Sequence, residues 1–198
     1  MIPVLLQPEP DDFDRKVRQP GREWLAGQGI SLNAVPPKAA ELPPFWRRSN
    51  QQLWEAYSGV CAYLAIYFEW VTGASSTDHF VAKSRKAVDA YEWANFRLSC
   101  LGPNRNKGRF DDVLDPMELQ KDTFVLNLLG GTIRPNPALD ETTRLRAGNT
   151  IDRLKLNSAE HNRMRAKHFS RYVRGRDEET LKELSPFVWY EAKRQGLL

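Results

Sequence analysis

The chain has 198 residues, of which 41% are hydrophobic and 27% are charged, and its formal net charge is +4. This balance excludes a largely disordered chain, and no run of 18 apolar residues predicts a membrane-spanning helix. Because no basic region precedes the apolar start, no signal peptide is predicted, and we expect one cytoplasmic domain over residues 1–198.

Residues 1–57 are predicted to form an N-terminal wrap followed by a helix. A short helix over residues 11–19 begins at two aspartates and is predicted to end at Pro20-Gly21. Six glycines and prolines between positions 27 and 45 favour an extended connection along the surface. A helix over residues 50–57 follows, with its apolar residues on one face.

Residues 58–115 are predicted to form the central part of the fold. Aromatic and alternating apolar residues indicate strands there, and glycines and prolines indicate the turns between them. Pro103 is well placed near the start of a helix, because its missing N–H is not needed in the first turn. The predicted strands are residues 63–70, 77–81 and 96–100, with helical turns over 87–93 and a helix over 104–110.

Residues 140–198 are predicted to be a helical C-terminal extension. Asn157 and Glu160 have the spacing of a capping box at the start of a helix over residues 158–174. Ser185-Pro186 is an N-cap followed by proline at the first helical position, and it predicts a final helix. A small strand pair is also predicted, at residues 124–128 and 132–134.

The order strand, loop, strand, helix between residues 77 and 110 is predicted to bring polar side chains to one gap. Asp78 and His79 end the first strand, and Asn104 begins the helix. Carboxylate and amide oxygens are hard ligands, so Asp78 and Asn104 are predicted to bind a divalent metal, Mg²⁺ or alternatively Mn²⁺. Histidine is largely neutral at pH 7, so His79 is the predicted base that deprotonates a water.

Asn95 is predicted to bond the backbone of the long loop, so that the His79 ring points at this water. Each residue also has an ordinary structural explanation. A lone histidine after a strand is usually a surface or packed residue, and Asp78 alone would be a turn or cap carboxylate. Asn104 alone would be a helix N-terminal residue, and Asn106 competes with it as a ligand. The ordered combination favours the catalytic interpretation.

Three segments in this order resemble the HNH family of nucleases, also called the ββα-metal or His-Me finger group. The first resembles the family's Asp-His motif, the second its asparagine-containing strand, and the third its final helix with asparagine in place of the last histidine. The segments are Asp78-His79-Phe80-Val81-Ala82-Lys83-Ser84, Ala90-Tyr91-Glu92-Trp93-Ala94-Asn95-Phe96-Arg97-Leu98-Ser99-Cys100 and Asn104-Arg105-Asn106-Lys107-Gly108.

The resemblance implies an α+β fold, a mainly helical chain around a central ββα-metal finger at residues 58–115. It also implies a metal-dependent endonuclease that hydrolyses phosphodiester bonds in DNA, with His79 as the base and Asp78 and Asn104 as metal ligands. Flanking segments are similar to a bacterial subgroup, some of whose relatives resemble nuclease subunits that work beside an ATPase in Septu-type anti-phage systems. The flanking segments are residues 8–14, 18–21 and 112–116.

The two cysteines mark a departure from the family pattern. Many HNH nucleases carry two Cys-x-x-Cys pairs that bind a structural zinc. Here Cys61 is followed three residues later by Leu64, and Cys100 by Pro103. No structural zinc is therefore expected, and aromatic packing is predicted to replace it. The aromatic residues are Tyr63, Tyr67, Trp70 and Trp93.

Basic residues surround the motif. Between positions 83 and 109, seven lysines and arginines oppose two acidic residues, which leaves a local charge of +5. Such a run is either a solvated face or a surface that follows a phosphate backbone. The predicted nucleic-acid-binding residues are Lys83, Arg105, Lys107, Arg109, Arg163, Lys167 and Arg171. Three aspartates follow the motif and form either turns and caps or a second metal site: Asp111, Asp112 and Asp115.

An alternative function is a non-catalytic nucleic-acid-binding or partner-docking subunit with an HNH-like scaffold. In that case the helical extension would dock a partner, such as an ATPase. RNA is a less favoured substrate than DNA, because the sequence shows no aromatic platform of the kind that binds single-stranded RNA.

Overall fold

The computed structural model describes residues 1–38 and 41–198, and it has an α+β fold. Within these residues, seven α-helices accompany two small antiparallel sheets of two strands each. None of the described helices is long and apolar enough to cross a membrane. The elements are α1 (Gln19–Gly27), α2 (Asn50–Ala56), β1 (Ser75–His79), β2 (Phe96–Cys100), α3 (Leu101–Lys107), β3 (Phe124–Leu126), β4 (Ile133–Pro135), α4 (Glu141–Arg153), α5 (Ala159–Gly175), α6 (Glu178–Leu184) and α7 (Pro186–Arg194).

The first helical segment passes through Pro20-Gly21, so the prediction that it ends there is wrong. A π-helical turn at Asp14–Arg18 leads directly into α1, with proline in the first turn of α1. A proline is tolerated there because its missing N–H is not needed. Gly21 instead allows close packing, because a Cβ at this position would lie 2.3 Å from Cγ of Tyr91. The helix over residues 50–57 is confirmed as α2.

The aromatic stretch 63–70 does not form the predicted strands. Within this stretch, Tyr67 forms an isolated β-bridge with Val60. A short 3₁₀ turn begins at its last residue, Trp70. Ala65 has a φ of +48°, which an extended strand cannot accommodate. The backbone of this stretch has irregular partners instead, including a hydrogen bond from the N–H of Tyr67 to the carbonyl of Leu184 at 3.0 Å. The strand prediction was wrong because these residues are buried without pairing to a neighbouring strand.

The hairpin β1–β2 and helix α3 follow each other as predicted, with shifted boundaries. The strands are antiparallel, and His79 pairs with Phe96 in their register. β2 has the predicted bounds, whereas β1 begins and ends two residues earlier than predicted. α3 begins directly after β2 at Leu101 and contacts both strands. Pro103 lies in its first turn, which is the position expected for a proline.

The C-terminal part is helical, and the small strand pair β3–β4 lies before it, as predicted. α5 is displaced by one residue from its predicted bounds, because its N-cap is Ser158. The Ser158 hydroxyl accepts a hydrogen bond from the N–H of His161 at 3.3 Å. The predicted cap, Asn157, instead bonds both backbone groups of Ile133 at 2.8 Å. The predicted capping box is therefore wrong.

Two clusters of buried apolar residues flank the hairpin. The N-terminal cluster joins Phe13, Leu25 and Leu53 to Phe96 of β2. The other cluster joins the C-terminal helices to β3 and β4, and it includes Tyr63. The hairpin is therefore supported by packing from both the N-terminal wrap and the helical extension.

Candidate active site

One cavity of about 700 Å³ is lined by residues of β1, the following loop and α3. Asp78, His79 and Asn104, which the sequence singled out, all line it. The hairpin brings β1 beside β2, and α3 then returns along β1, so residues more than 20 positions apart meet at one surface.

His79 has a fixed ring orientation in this cavity. Its ring lies edge-to-face with Trp46 at 4.8 Å and with Phe96 at 5.2 Å between centroids. Its Nε2 lies 3.1 Å from the carbonyl oxygen of Ala90. Because a carbonyl can only accept, Nε2 must carry the hydrogen, and the lone pair of the neutral ring is on Nδ1. No group in residues 1–38 or 41–198 is hydrogen-bonded to Nδ1.

Burial also sets the charge of this imidazole. Desolvation lowers the pKa of His79 to about 3, and the neighbouring Lys83 and Lys107 charges act in the same direction. The ring is therefore neutral at pH 7. A neutral ring with the proton on Nε2 can accept a proton at Nδ1, as a general base must.

Asn95 connects the two sides of the loop between β1 and β2. Its Oδ1 accepts from the N–H of Val81 at 2.8 Å, and its Nδ2 donates to the carbonyls of Val81 at 2.9 Å and Asp89 at 2.8 Å. The side chain is buried and does not line the cavity. Asn95 thus acts on the loop that carries the Ala90 carbonyl, and it reaches the His79 ring only indirectly.

Asp78 is buried at the base of the cavity and is held by two groups. The Tyr63 hydroxyl donates to one carboxylate oxygen, and the Lys107 ammonium donates to the other at 3.2 Å. Burial raises the pKa of Asp78, and the Lys107 charge partly opposes this shift. Tyr63 remains a protonated donor, because burial and the Asp78 charge raise its pKa well above the usual value.

Lys107 has a different position from the one expected for a nucleic-acid contact. Its side chain is 0% exposed, and its ammonium also donates to the carbonyl of His79 at 2.9 Å. A phosphate on the surface cannot reach a fully buried ammonium, so that expectation is corrected. The sequence contained an indication of this inward position, because Lys107 lies three residues after Asn104 and therefore shares its helix face.

Asn104 offers an oxygen to the cavity. Its Nδ2 donates to the carbonyl of Thr77 at 3.3 Å and also bonds the hydroxyl of Ser76. This assigns the amide orientation and leaves Oδ1 without a hydrogen-bond partner among the described residues. The competing Asn106 does not line this cavity, and its Nδ2 donates to the carbonyl of Leu154 at 3.3 Å.

Two of the predicted side chains present oxygen atoms that a hard cation could use. Asp78 keeps spare lone pairs beside its two bonds, and Asn104 Oδ1 is unpartnered. Within residues 1–38 and 41–198, no group of three or more His, Cys, Asp or Glu side chains could hold a metal. Mg²⁺ binds through few protein groups and retains several waters, and the prediction that Asp78 and Asn104 hold it stays a prediction.

Three cationic side chains give this cavity a positive character. Arg47, Lys83 and Arg109 line it, and none of them forms a salt bridge within the part of the chain that the structure describes. Lys83 Nζ lies 4.2 Å from the centroid of the Trp46 ring. The cavity lining includes one carboxylate, Asp78, and Lys107 already compensates its charge. The sequence analysis did not predict Arg47 as a binding residue, because Arg47 lies far from the motif in the chain.

The other predicted basic residues lie outside this cavity. Arg105 lines a separate polar cavity with Arg153 and Lys155. The three predicted residues of α5 are exposed and do not line the first cavity: Arg163, Lys167 and Arg171.

The three aspartates after the motif do not form one site, because each pairs with a different arginine. Asp115 binds the buried Arg97 through two bonds, of which the one from Nε is 2.8 Å long. The other two pairs are Asp111 with Arg85 and Asp112 with Arg153. These separate pairings favour structural roles over a shared second metal site.

The two cysteines lie close together at the end of β2. Cys61 Sγ accepts from the N–H of Cys100 at 3.4 Å and from the N–H of Leu64 at 3.5 Å. Tyr63, one of the aromatics expected to replace a zinc site by packing, is buried in the same apolar cluster as Cys61, and its hydroxyl also donates to Asp78.

Comparison with known proteins identifies no family. No protein-family model matches the chain, and no curated protein matches it. The resemblance to HNH nucleases therefore remains a prediction.

Proposed function

We propose that the chain is a metal-dependent endonuclease of the HNH type that hydrolyses phosphodiester bonds, with DNA as the substrate. The observation that carries this proposal is the fixed tautomer of His79, whose lone pair on Nδ1 is free in a cationic cavity. The succession of β1, β2 and α3 supports a ββα-metal finger as the scaffold.

The charges of the cavity suit a phosphate diester. Arg47, Lys83 and Arg109 attract the anion and position it without contacting bases. An anion beside His79 favours the protonated imidazole and so opposes the effect of the Lys83 and Lys107 charges on the ring.

The proposed reaction is a single displacement at phosphorus. Nδ1 of His79 removes a proton from a water as its oxygen bonds to phosphorus. The bond from phosphorus to the leaving sugar oxygen breaks, and that oxygen takes a proton from solvent. The products are one phosphomonoester end and one hydroxyl end. A divalent cation held by Asp78 and Asn104 would offset the charge that develops on the phosphoryl oxygens.

Nicking of supercoiled plasmid in Mg²⁺ or Mn²⁺ tests the proposal. His79→Ala is expected to lower the rate at least about 100-fold, which is the usual contribution of a general base. His161→Ala is the matched control, because this histidine lies on α5 and its ring bonds the carbonyl of Lys155. Circular dichroism would verify that both variants are folded. Equal nicking by wild type and His79→Ala would overturn the assignment of the base.

A second candidate is a nucleic-acid-binding or partner-docking subunit without catalysis. The buried pair of Asp78 and Lys107 favours it, because the charge of the proposed ligand is already compensated inside the protein. Titration with Mn²⁺ followed by electron paramagnetic resonance distinguishes the two candidates. Binding that Asp78→Asn abolishes supports the nuclease, whereas no binding even with substrate favours the second candidate. The ATPase partner and the anti-phage role remain predictions of the resemblance.

A further inference from the structure

A second cavity of about 600 Å³ adjoins the proposed active site. Ser84 and Arg109 line both cavities, so the two are continuous along the protein surface. The second cavity differs in chemistry, because an aromatic ring and an aliphatic side chain are part of its wall. These are Phe110, which is 46% exposed, and Val35, which is 67% exposed.

The exposed Phe110 ring is held in place from one side. The Arg153 guanidinium carbon lies 3.7 Å from the ring centroid. Arg153 is itself fixed by Asp112, with its Nη2 at 2.8 Å and its Nε at 3.1 Å from carboxylate oxygens. A ring that is already ordered loses little conformational entropy on binding a flat ligand.

We propose that Phe110 is a stacking site for an unpaired nucleobase next to the phosphate in the active-site cavity. This inference rests on the proposed nuclease function, and it names the substrate class as single-stranded or locally unpaired nucleic acid. Every base has a π-face, so an aromatic ring beside a cationic groove binds single strands with little sequence preference. In a continuous duplex the base faces are already stacked, and a base must leave the stack to reach such a ring.

Arg109 connects the two parts of the proposed site. It lines both cavities and forms no salt bridge among the described residues, so it can bind the backbone between the phosphate and the stacked base. A protein partner is a less suitable occupant of the second cavity, because a salt bridge between Arg85 and Asp111 places charges within the same wall.

Equilibrium binding in EDTA tests the inference without cleavage. Fluorescently labelled 12-nucleotide DNA would be compared as a single strand and as a duplex, beside RNA of the same sequence. Wild type is expected to bind the single strand at least tenfold more tightly than the duplex. Phe110→Ala should weaken single-strand binding by about 5- to 150-fold and leave duplex binding unchanged, whereas Phe110→Trp should retain it. Val71→Ala is the matched control, because Val71 is 89% exposed and does not line either cavity.

A 2-aminopurine base in the single strand provides a direct measure of stacking. Its fluorescence should be quenched by wild type and by Phe110→Trp, and not by Phe110→Ala. The inference is overturned if Phe110→Ala binds single strands like wild type, or weakens single strands and duplex equally. The comparison with RNA establishes whether the site also binds a strand that carries ribose. The two proposals fail separately, because the binding assay in EDTA measures no cleavage, and the nicking comparison of wild type with His79→Ala does not involve Phe110.

Discussion

Replacement of Lys107 with methionine would test the buried position of this lysine. The change removes an ammonium that donates to Asp78 at 3.2 Å and to the His79 carbonyl at 2.9 Å. Of the two groups that hold the Asp78 carboxylate, the Tyr63 hydroxyl would remain. Loss of one partner from a buried ion pair typically destabilises a protein by about 3–5 kcal/mol.

Protonation of Asp78 sets an independent upper limit on the loss of stability in this variant. The variant can relieve the uncompensated charge by protonating the carboxyl, which at pH 7 costs about 4 kcal/mol for a group with an ordinary pKa near 4. We therefore expect Lys107→Met to lower the free energy of unfolding by about 3–4 kcal/mol. Urea unfolding at pH 7, followed by tryptophan fluorescence, measures this change.

Two further variants distinguish the loss of this ion pair from an unspecific effect of replacing a lysine. Lys121→Met is the matched control, because Lys121 is exposed and its replacement should change stability by less than about 0.5 kcal/mol. The double variant Asp78→Asn with Lys107→Met should be more stable than the sum of the single losses predicts, because neither charge remains unpaired. The reasoning is refuted if Lys107→Met loses less than about 1 kcal/mol, as a surface lysine that contacts phosphate would.

The remaining predictions concern His79 and Gly21. Because the pKa of His79 is lowered from 6.5 to about 3 by folding, the unfolded chain binds a proton between these pH values that the folded chain does not. The stability advantage of wild type over His79→Gln should therefore shrink below pH 6.5, by at most about 1.4 kcal/mol per pH unit, and a pH-independent difference would contradict the assigned burial. Gly21→Ala should destabilise by about 1–3 kcal/mol, because its Cβ would overlap the buried Tyr91 ring, whereas Gly148→Ala has open space and should be neutral or slightly stabilising in the same urea assay.

Local patterns in the chain predicted several elements and most of the candidate site. The alternation over residues 96–100 predicted β2 with its observed bounds. The order of Asp78, His79 and Asn104 relative to two strands and a helix predicted that these side chains would share a cavity, and all three line one. Such patterns are informative because alternation and capping depend on neighbours within a few residues.

Patterns failed where a residue's role depends on a partner distant in the chain. Pro20-Gly21 has the composition of a helix end, yet Gly21 is required by the ring of Tyr91, which is 70 positions away. The aromatic residues 63–70 have the composition of a strand, but a strand also needs a neighbour to accept its backbone bonds. No such neighbour follows from the segment itself.

The sequence by itself determined which chemical groups are present and in what order, because these depend only on residue type and local spacing. Only the tertiary structure decided the charge and exposure of each group. It buried Lys107 against Asp78, fixed the hydrogen of His79 on Nε2 through the Ala90 carbonyl, and left Phe110 exposed beside the cavity. The physical reason is that solvation and pairing are set by side chains that meet in space, and their energies exceed the preferences of any residue taken alone.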